Sequence, residues 1–423
     1  MKILEKYLLG SCALLSLFVS PLFFVFFAFA GLEFPGSDES PIYIWWVTLT
    51  FSLAVFAYFY SFRYGLSVNK SELPFYVFFL ALLVVHFLWL LFDSGQTEPL
   101  PRNLILFIGL GLPGFLTGRA VFRANAWQQI IKLAEPLVLL MSIGIIFAIV
   151  LPYFGGLRVR GVGGASYQAA SYYAALFFGL LGVTMFRLSE RYRFRIFRLK
   201  IVNLTNVAVL SGLFLAVVLN GGRGAFVLLC LYSLIIVHSL IFDKKFSRRI
   251  RISRGLFLFG VFLFIFPLAV NRISEDPLLS AGLNRALAFI SLSDGQIIDL
   301  EHGSSGRDQV YATAIENIKK SPFVGYGTFN NWKKANHPHN FFLDLAMQFG
   351  IPLATLIVIA VFGLFFLRRK IGDSEEYWLW TLLLYSLVFL SVSGSYLSAS
   401  ALWFSLGALL MMRKDKNCSD ENA

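Results

Sequence analysis

The chain has 423 residues, 57% of them hydrophobic and only 14% charged, with 46 phenylalanines. That balance is too apolar for a soluble domain and is expected of an all-α polytopic membrane protein. The formal charge is +12, but the basic residues fall between apolar runs and not in one patch, which excludes nucleic acid as a partner and leaves the lipid bilayer.

The first residues imitate a secretory signal, with Lys2 and Lys6, an apolar run and Ala28-Phe29-Ala30. The run is too long for a signal core, so it reads as an uncleaved first span. A spanning helix takes about 20 mostly apolar residues. Twelve segments reach that class, at roughly 7–30, 42–62, 73–92, 103–118, 135–153, 166–186, 201–218, 224–242, 255–270, 351–367, 377–393 and 397–412.

Lys and Arg set the orientation, because basic residues in short loops stay in the cytoplasm. With the N-terminus inside, the segments 1–6, 61–72, 119–132, 187–200, 243–254, 368–376 and 413–423 hold 25 of the 36 basic residues. The short connections on the other side hold four, Arg102, Arg158, Arg160 and Arg223. Both termini are therefore expected in the cytoplasm, and the long loop between spans 9 and 10 outside. The chain divides into residues 1–270 with spans 1–9, an outer loop domain at 271–350, residues 351–412 with spans 10–12, and a cytoplasmic tail at 413–423. The basic runs RLSERYRFRIFRLK and DKKFSRRIRISR read as retention signals touching anionic headgroups.

Within the twelve apolar cores the only carboxylate is Glu135, at a helix mouth. Ion-coupled transporters place carboxylates at mid-membrane, so a coupled transporter is disfavoured while a lipid flippase stays open. No internal repeat is visible. His86 and His238 lie within spans, where a neutral imidazole bonded to a neighbouring helix is the commoner reading. Cys12 and Cys230 lie in apolar segments and Cys418 in the tail, which is neither a disulfide framework nor a metal spacing.

The outer loop has its own pattern. Leu279, Leu283, Leu287 and Ile290 recur at helical spacing, which predicts an amphipathic helix from about Pro277 lying on the membrane or on the spans. After the polar DGQIIDLEHGSSG, Arg307 opens a second helix with Ser305 as N-cap and Pro322 as its end. Gly325-Tyr326-Gly327 makes a tight connection. Beyond His339-Asn340, FFLDLAMQF forms a short helix ending at Gly350, and Pro352 starts the tenth span.

The outer side collects Arg158 and Arg160 before GVGG, Arg223 in NGGRGAF, Arg307, and the pair His337 and His339. An arginine in a tight outer connection runs against the charge rule, and an anion outside would hold it there. Snorkelling to headgroups is the alternative, but the flanking glycines open the backbone to a ligand. Which of Arg158 and Arg160 binds stays open. Planar guanidinium groups suit a diphosphate, and the outward-facing membrane diphosphate is a polyprenyl diphosphate sugar. His339 could take the proton of an attacking hydroxyl, and Asn340 beside it could fix its ring. His-Pro-His lacks a third ligand, so no metal is expected. Asp299-Leu300-Glu301 reads as solvated loop. There is no GxSxG elbow, HExxH, Walker loop or GxGxxG behind a strand, which excludes soluble-type ATP or NAD chemistry.

Arg223 in NGGRGAFVLL, Arg307 in SGRDQVYATAIENIKKSPFVGYG and the run HPHNFFLDLAMQFGIPLATL together resemble the bacterial O-antigen ligase and O-antigen polymerase superfamily. RVRGVGGASYQAASYYAAL is similar to its arginine-plus-glycine outer loop, so the likeness runs from about Arg158 to Leu356. The resemblance implies a cofactor-free, metal-independent glycosyltransferase of the bacterial inner membrane, with a periplasmic active site and a glycan on undecaprenyl diphosphate as donor. A ligase uses lipid A-core as acceptor, and a polymerase uses another lipid-linked glycan. The resemblance assigns His339 to activating the acceptor hydroxyl, and Arg160, Arg223 and Arg307 to the diphosphate. His337 matches a variable position. The GVGG-containing loop tips the choice towards the ligase, with the polymerase next and a lipid-linked oligosaccharide flippase as the rival from another class.

Overall fold

The computed structural model describes residues 3–31, 41–62, 107–157, 161–163, 165–187, 201–242, 275–286, 307–327, 338–366 and 373–411. Among the described residues the chain is almost entirely helical and forms no strand. Its helices are α1 (Ile3–Leu17), α2 (Val19–Phe29), α3 (Pro41–Ser61), α4 (Leu112–Arg123), α5 (Trp127–Ile145), α6 (Leu151–Phe154), α7 (Tyr167–Arg187), α8 (Ile201–Asn220), α9 (Arg223–Phe242), α10 (Pro277–Ala286), α11 (Arg307–Lys320), α12 (Phe341–Phe366), α13 (Asp373–Val392) and α14 (Ser400–Met411).

Pro41–Ser61, Trp127–Phe154 and Phe341–Gly363 are long and apolar enough to cross a membrane, and α1 with α2 makes a fourth if the bent pair is one span. Shorter apolar helices stand beside them at Ala208–Asn220, Arg223–His238, Glu376–Val392 and Ser400–Met411. The spans expected at 73–92 and 255–270 lie outside the described residues.

α7 is the axis of one half, packing against α5, α8, α9 and α13. A helix that is apolar on every side belongs in the middle of a bundle, and its residues 174–178 and 180–181 are all buried hydrophobics or glycine-flanked contacts of the main core. Gly179 and Gly182 let α9 come close, since a Cβ at either would overlap Tyr232 or Ile236. Tyr232 then reaches across to donate to the Thr381 carbonyl of α13 (2.6 Å). The other half centres on α4 against α1, α3 and α14. Here Gly114, Gly118 and Gly407 lie against the partner backbone with no room for a side chain, the small-residue packing that membrane helices use for close approach.

The first span is bent by 81° at Phe18, where one straight helix was expected. Pro21 has no N–H to give the Leu17 carbonyl, so the helical ladder breaks. Ser400 Oγ, from α14, donates to that carbonyl instead (3.0 Å). Two π-helical turns, Phe107–Gly111 and Ile146–Val150, likewise precede Pro113 and Pro152.

Arg119 also differs from expectation. It was assigned to a cytoplasmic loop, but α4 continues to Arg123 and leaves Arg119 only 1% exposed. Its guanidinium donates to Tyr58 Oη (2.6 Å) and lies 5.5 Å from that ring's centre.

α10 forms where the periodicity placed it. Asp276 caps it, with Oδ1 accepting from the Leu279 N–H (3.0 Å), and Pro277 takes the first helical position. Tyr153 at the end of the α5–α6 run donates to the other oxygen of Asp276 (2.5 Å). The helix packs on α8 and α9, so its apolar face is on the bundle.

Candidate active site

Residues 321–327 and 347–351 form one clamp. α12 is not continuous: Gly350 has φ 74° and ψ 165°, a conformation essentially reserved for glycine. Two carbonyls lose their helical donors there. Met347 would have paired with Ile351, which turns away, and Gln348 with Pro352, which has no N–H. The turn after α11 supplies both: Tyr326 N–H donates to Met347 O (2.8 Å) and Gly327 N–H to Gln348 O (2.9 Å). In return the Ile351 N–H donates to Pro322 O (2.7 Å). Gly325 and Gly350 both have positive φ, and a Cβ on either would strike the other strand of the clamp.

α11 and the first part of α12, Phe341–Phe349, meet at this clamp with their C-terminal ends. Ala314 and Ile318 pack on Met347, with Leu343 and Ala346 beside them. Both helices therefore point their N-termini the same way from the shared turn, which sends Arg307 and His339-Asn340 in a common direction. For Arg307 the description is of its backbone, as the first residue of α11.

Asn340 is the N-cap of α12. Its Oδ1 accepts from the N–H groups of Phe342 (3.1 Å) and Leu343 (3.2 Å), and its carbonyl from Asp344 (2.9 Å). His339, just before the cap, is exposed and has φ 50°. A side chain in this left-handed region costs about 1–2 kcal/mol, and His is among the residues found there more often than most.

The helix behind His339 carries a buried polar network that sequence reasoning passed over. Gln348 Nε2 donates to Asp344 Oδ1 (2.8 Å), Tyr396 donates to Gln348 Oε1 (2.5 Å), and Trp403 Nε1 donates to the Tyr396 carbonyl (2.6 Å). Asp344 and Gln348 are 2% and 0% exposed. Burial, with the Asp344 charge adding to it and the Gln348 hydrogen bond opposing, raises the Tyr396 hydroxyl well above its ordinary value, so it remains a donor. The visible signal was a polar pair at i and i+4 in an otherwise apolar helix.

Arg223 opens α9 and is half-buried. Its glycines seat the turn on α7: a Cβ at Gly222 would stand 2.7 Å from Ser171 Oγ, and one at Gly224 would overlap the Tyr172 hydroxyl and lie 3.3 Å from Val392 Cβ. Next to Val392, Ser393 Oγ donates to Gln168 Oε1 (3.4 Å), and three residues on is Tyr396. The α13–α14 connection therefore joins the Arg223 turn to the helix that follows His339. Both are at one end of the bundle, where α7 begins, α9 begins and α13 ends. A basic residue at a helix N-terminus adds a full charge to the positive end of the helix dipole, which favours anions.

Arg158, Arg160 and His337 lie outside the described residues. Gly163, shortly after that arginine pair, lies directly against the Phe24 carbonyl and Ala28 of α2. Among the described residues no group of three or more His, Cys, Asp or Glu could hold a metal ion.

Residues 207–358 match the family described as O-Antigen ligase. The match takes in α8 to the first half of α12, and with them Arg223, Arg307, His337, His339 and Asn340. A comparison with curated proteins finds no match.

Proposed function

We propose that this chain, of which residues 207–358 match the family described as O-Antigen ligase, is an inner-membrane glycosyltransferase that moves a glycan from undecaprenyl diphosphate onto a sugar hydroxyl of lipid A-core. The observation that carries the reading is the convergence of Arg223, at the start of α9, and His339, ahead of the α12 cap, on one end of an apolar helical bundle.

The chemistry needs a base and positive charge. The acceptor hydroxyl attacks the anomeric carbon; a new C–O bond forms while the bond from that carbon to the diphosphate oxygen breaks. His339 takes the hydroxyl proton, and Arg223 and Arg307, with Arg160 or Arg158, stabilise the charge that collects on the departing diphosphate. Asn340 acts by fixing the turn that precedes it, and His337 is assigned to the diphosphate or the acceptor. Diphosphate is a good leaving group, so positioning and electrostatics suffice without metal or cofactor. The reaction end faces the periplasm, with residues 271–350 as a lid and both termini in the cytoplasm. That orientation follows from the 25 basic residues assigned to one side.

The lipopolysaccharide ladder of a deletion strain tests the acceptor. Loss of all O-chains from the core with lipid-linked polymer accumulating is the expected result. A single repeat unit on the core would make the enzyme a polymerase, and an unchanged ladder would contradict both.

A further inference from the structure

The turn that carries Arg223 lies beside two buried polar side chains that have no hydrogen-bond partner among the described residues. Asn220, the last residue of α8, is 0% exposed, and neither its amide oxygen nor its amide nitrogen has a hydrogen-bond partner among the described residues. Ser171, in the second turn of α7, is equally buried, and its hydroxyl is also unpartnered there. These are not distant defects. Gly222 follows Asn220 by two residues and rests on Ser171, with the position of a Cβ only 2.7 Å from the hydroxyl oxygen. Asn220 and Ser171 therefore both flank the turn that opens α9.

Buried polar groups are nearly always satisfied, so an amide orphaned at both atoms needs a cause. Its chemistry narrows the cause. A phosphate oxygen only accepts, and would leave the Asn220 Oδ1 without a donor. A sugar hydroxyl or an acetamido group donates and accepts at one point, and Ser171 can do either in reply. We infer that Asn220 and Ser171 form the subsite for the sugar ring attached to the diphosphate, immediately beside the Arg223 phosphate contact; this rests on the function proposed above. Entry requires the turn to part from α7, and the paired Gly221 and Gly222 offer no side chain to resist that. Seating the ring there holds its anomeric carbon at the boundary between Arg223 and the acceptor.

The test uses the purified full-length protein in nanodiscs and two probes, undecaprenyl diphosphate and the same lipid carrying one N-acetylhexosamine. Asn220→Leu replaces the orphaned amide by an apolar group of similar size, so its melting temperature should equal or exceed that of the wild type. Its affinity for the sugar-bearing lipid should fall about tenfold, the loss of two ordinary hydrogen bonds, while the sugar-free lipid binds as before. Ser171→Ala should shift the same way by less, and carries the test should Asn220→Leu fold poorly. Arg223→Gln should weaken both probes. Wild-type affinity of both subsite variants for both probes would overturn the inference and leave the Arg223 reading standing, and equal weakening for both probes would overturn the sugar assignment. Wild-type protein that binds neither lipid would overturn the proposed function itself.

Discussion

His339 is held with φ 50°, directly ahead of the Asn340 cap. Strain of this kind persists where a side chain must point in one direction. The separation of strain from function can be measured: His339→Gly should leave thermal stability unchanged or raise it by about 1 kcal/mol, while transfer falls on the order of 10²–10⁴-fold with loss of the base. A stable glycine variant with full transfer would remove His339 from the chemistry. Asn340 separates differently. Asn340→Ala should cost about 1 kcal/mol in an unfolding experiment as the cap is lost, and Asn340→Asp should retain both cap and most activity. At Arg223, lysine keeps the charge but not the planar fork, so Arg223→Lys should raise the donor KM. An unchanged KM would support snorkelling.

At the scale of elements, the clamp between residues 321–327 and 347–351 explains how a broken helix can still be stiff. Gly350→Ala should lose about 1–3 kcal/mol, because the residue has a glycine-only conformation and a Cβ would strike the Phe323 carbonyl. Tyr396→Phe leaves Gln348 Oε1 buried without its donor and should lose a similar amount, about 1–3 kcal/mol, read by thermal unfolding. Proline and glycine made much of this legible beforehand: Pro277, Pro322, Gly350 and Pro352 punctuate the sequence where the helices begin and end. The bend at Phe18 was not legible, because Pro21 can sit in a first turn without harm and the group that rescues Leu17 O, Ser400, is 383 residues away. For the same reason the Asp344–Gln348–Tyr396 network was missed. A carboxylate beside a predicted loop reads as solvated until the residue that buries it is known.

The whole molecule follows from apolar length and the placement of charge. Ten of the twelve expected segments fall on helices or helix runs of the described residues, because about 20 apolar residues have few other uses. The Arg223 turn was singled out by a positive charge where the pattern of basic residues leads one to expect none, whereas Asn220 and Ser171 carry no charge and no period that would mark them. In a cysteine-free background, His339→Cys should react with a membrane-impermeant maleimide applied from the periplasmic side, and a cysteine at Lys6 should not; the reverse pattern would invert the topology. Covalent transfer in proteoliposomes is the most direct measurement. With undecaprenyl-diphosphate-linked glycan and lipid A-core, and no ATP, wild-type protein should form the joined product and release one undecaprenyl diphosphate per glycan, and His339→Ala should not. Movement of the donor across the bilayer with no joined product would show a transporter, and would contradict the enzyme reading.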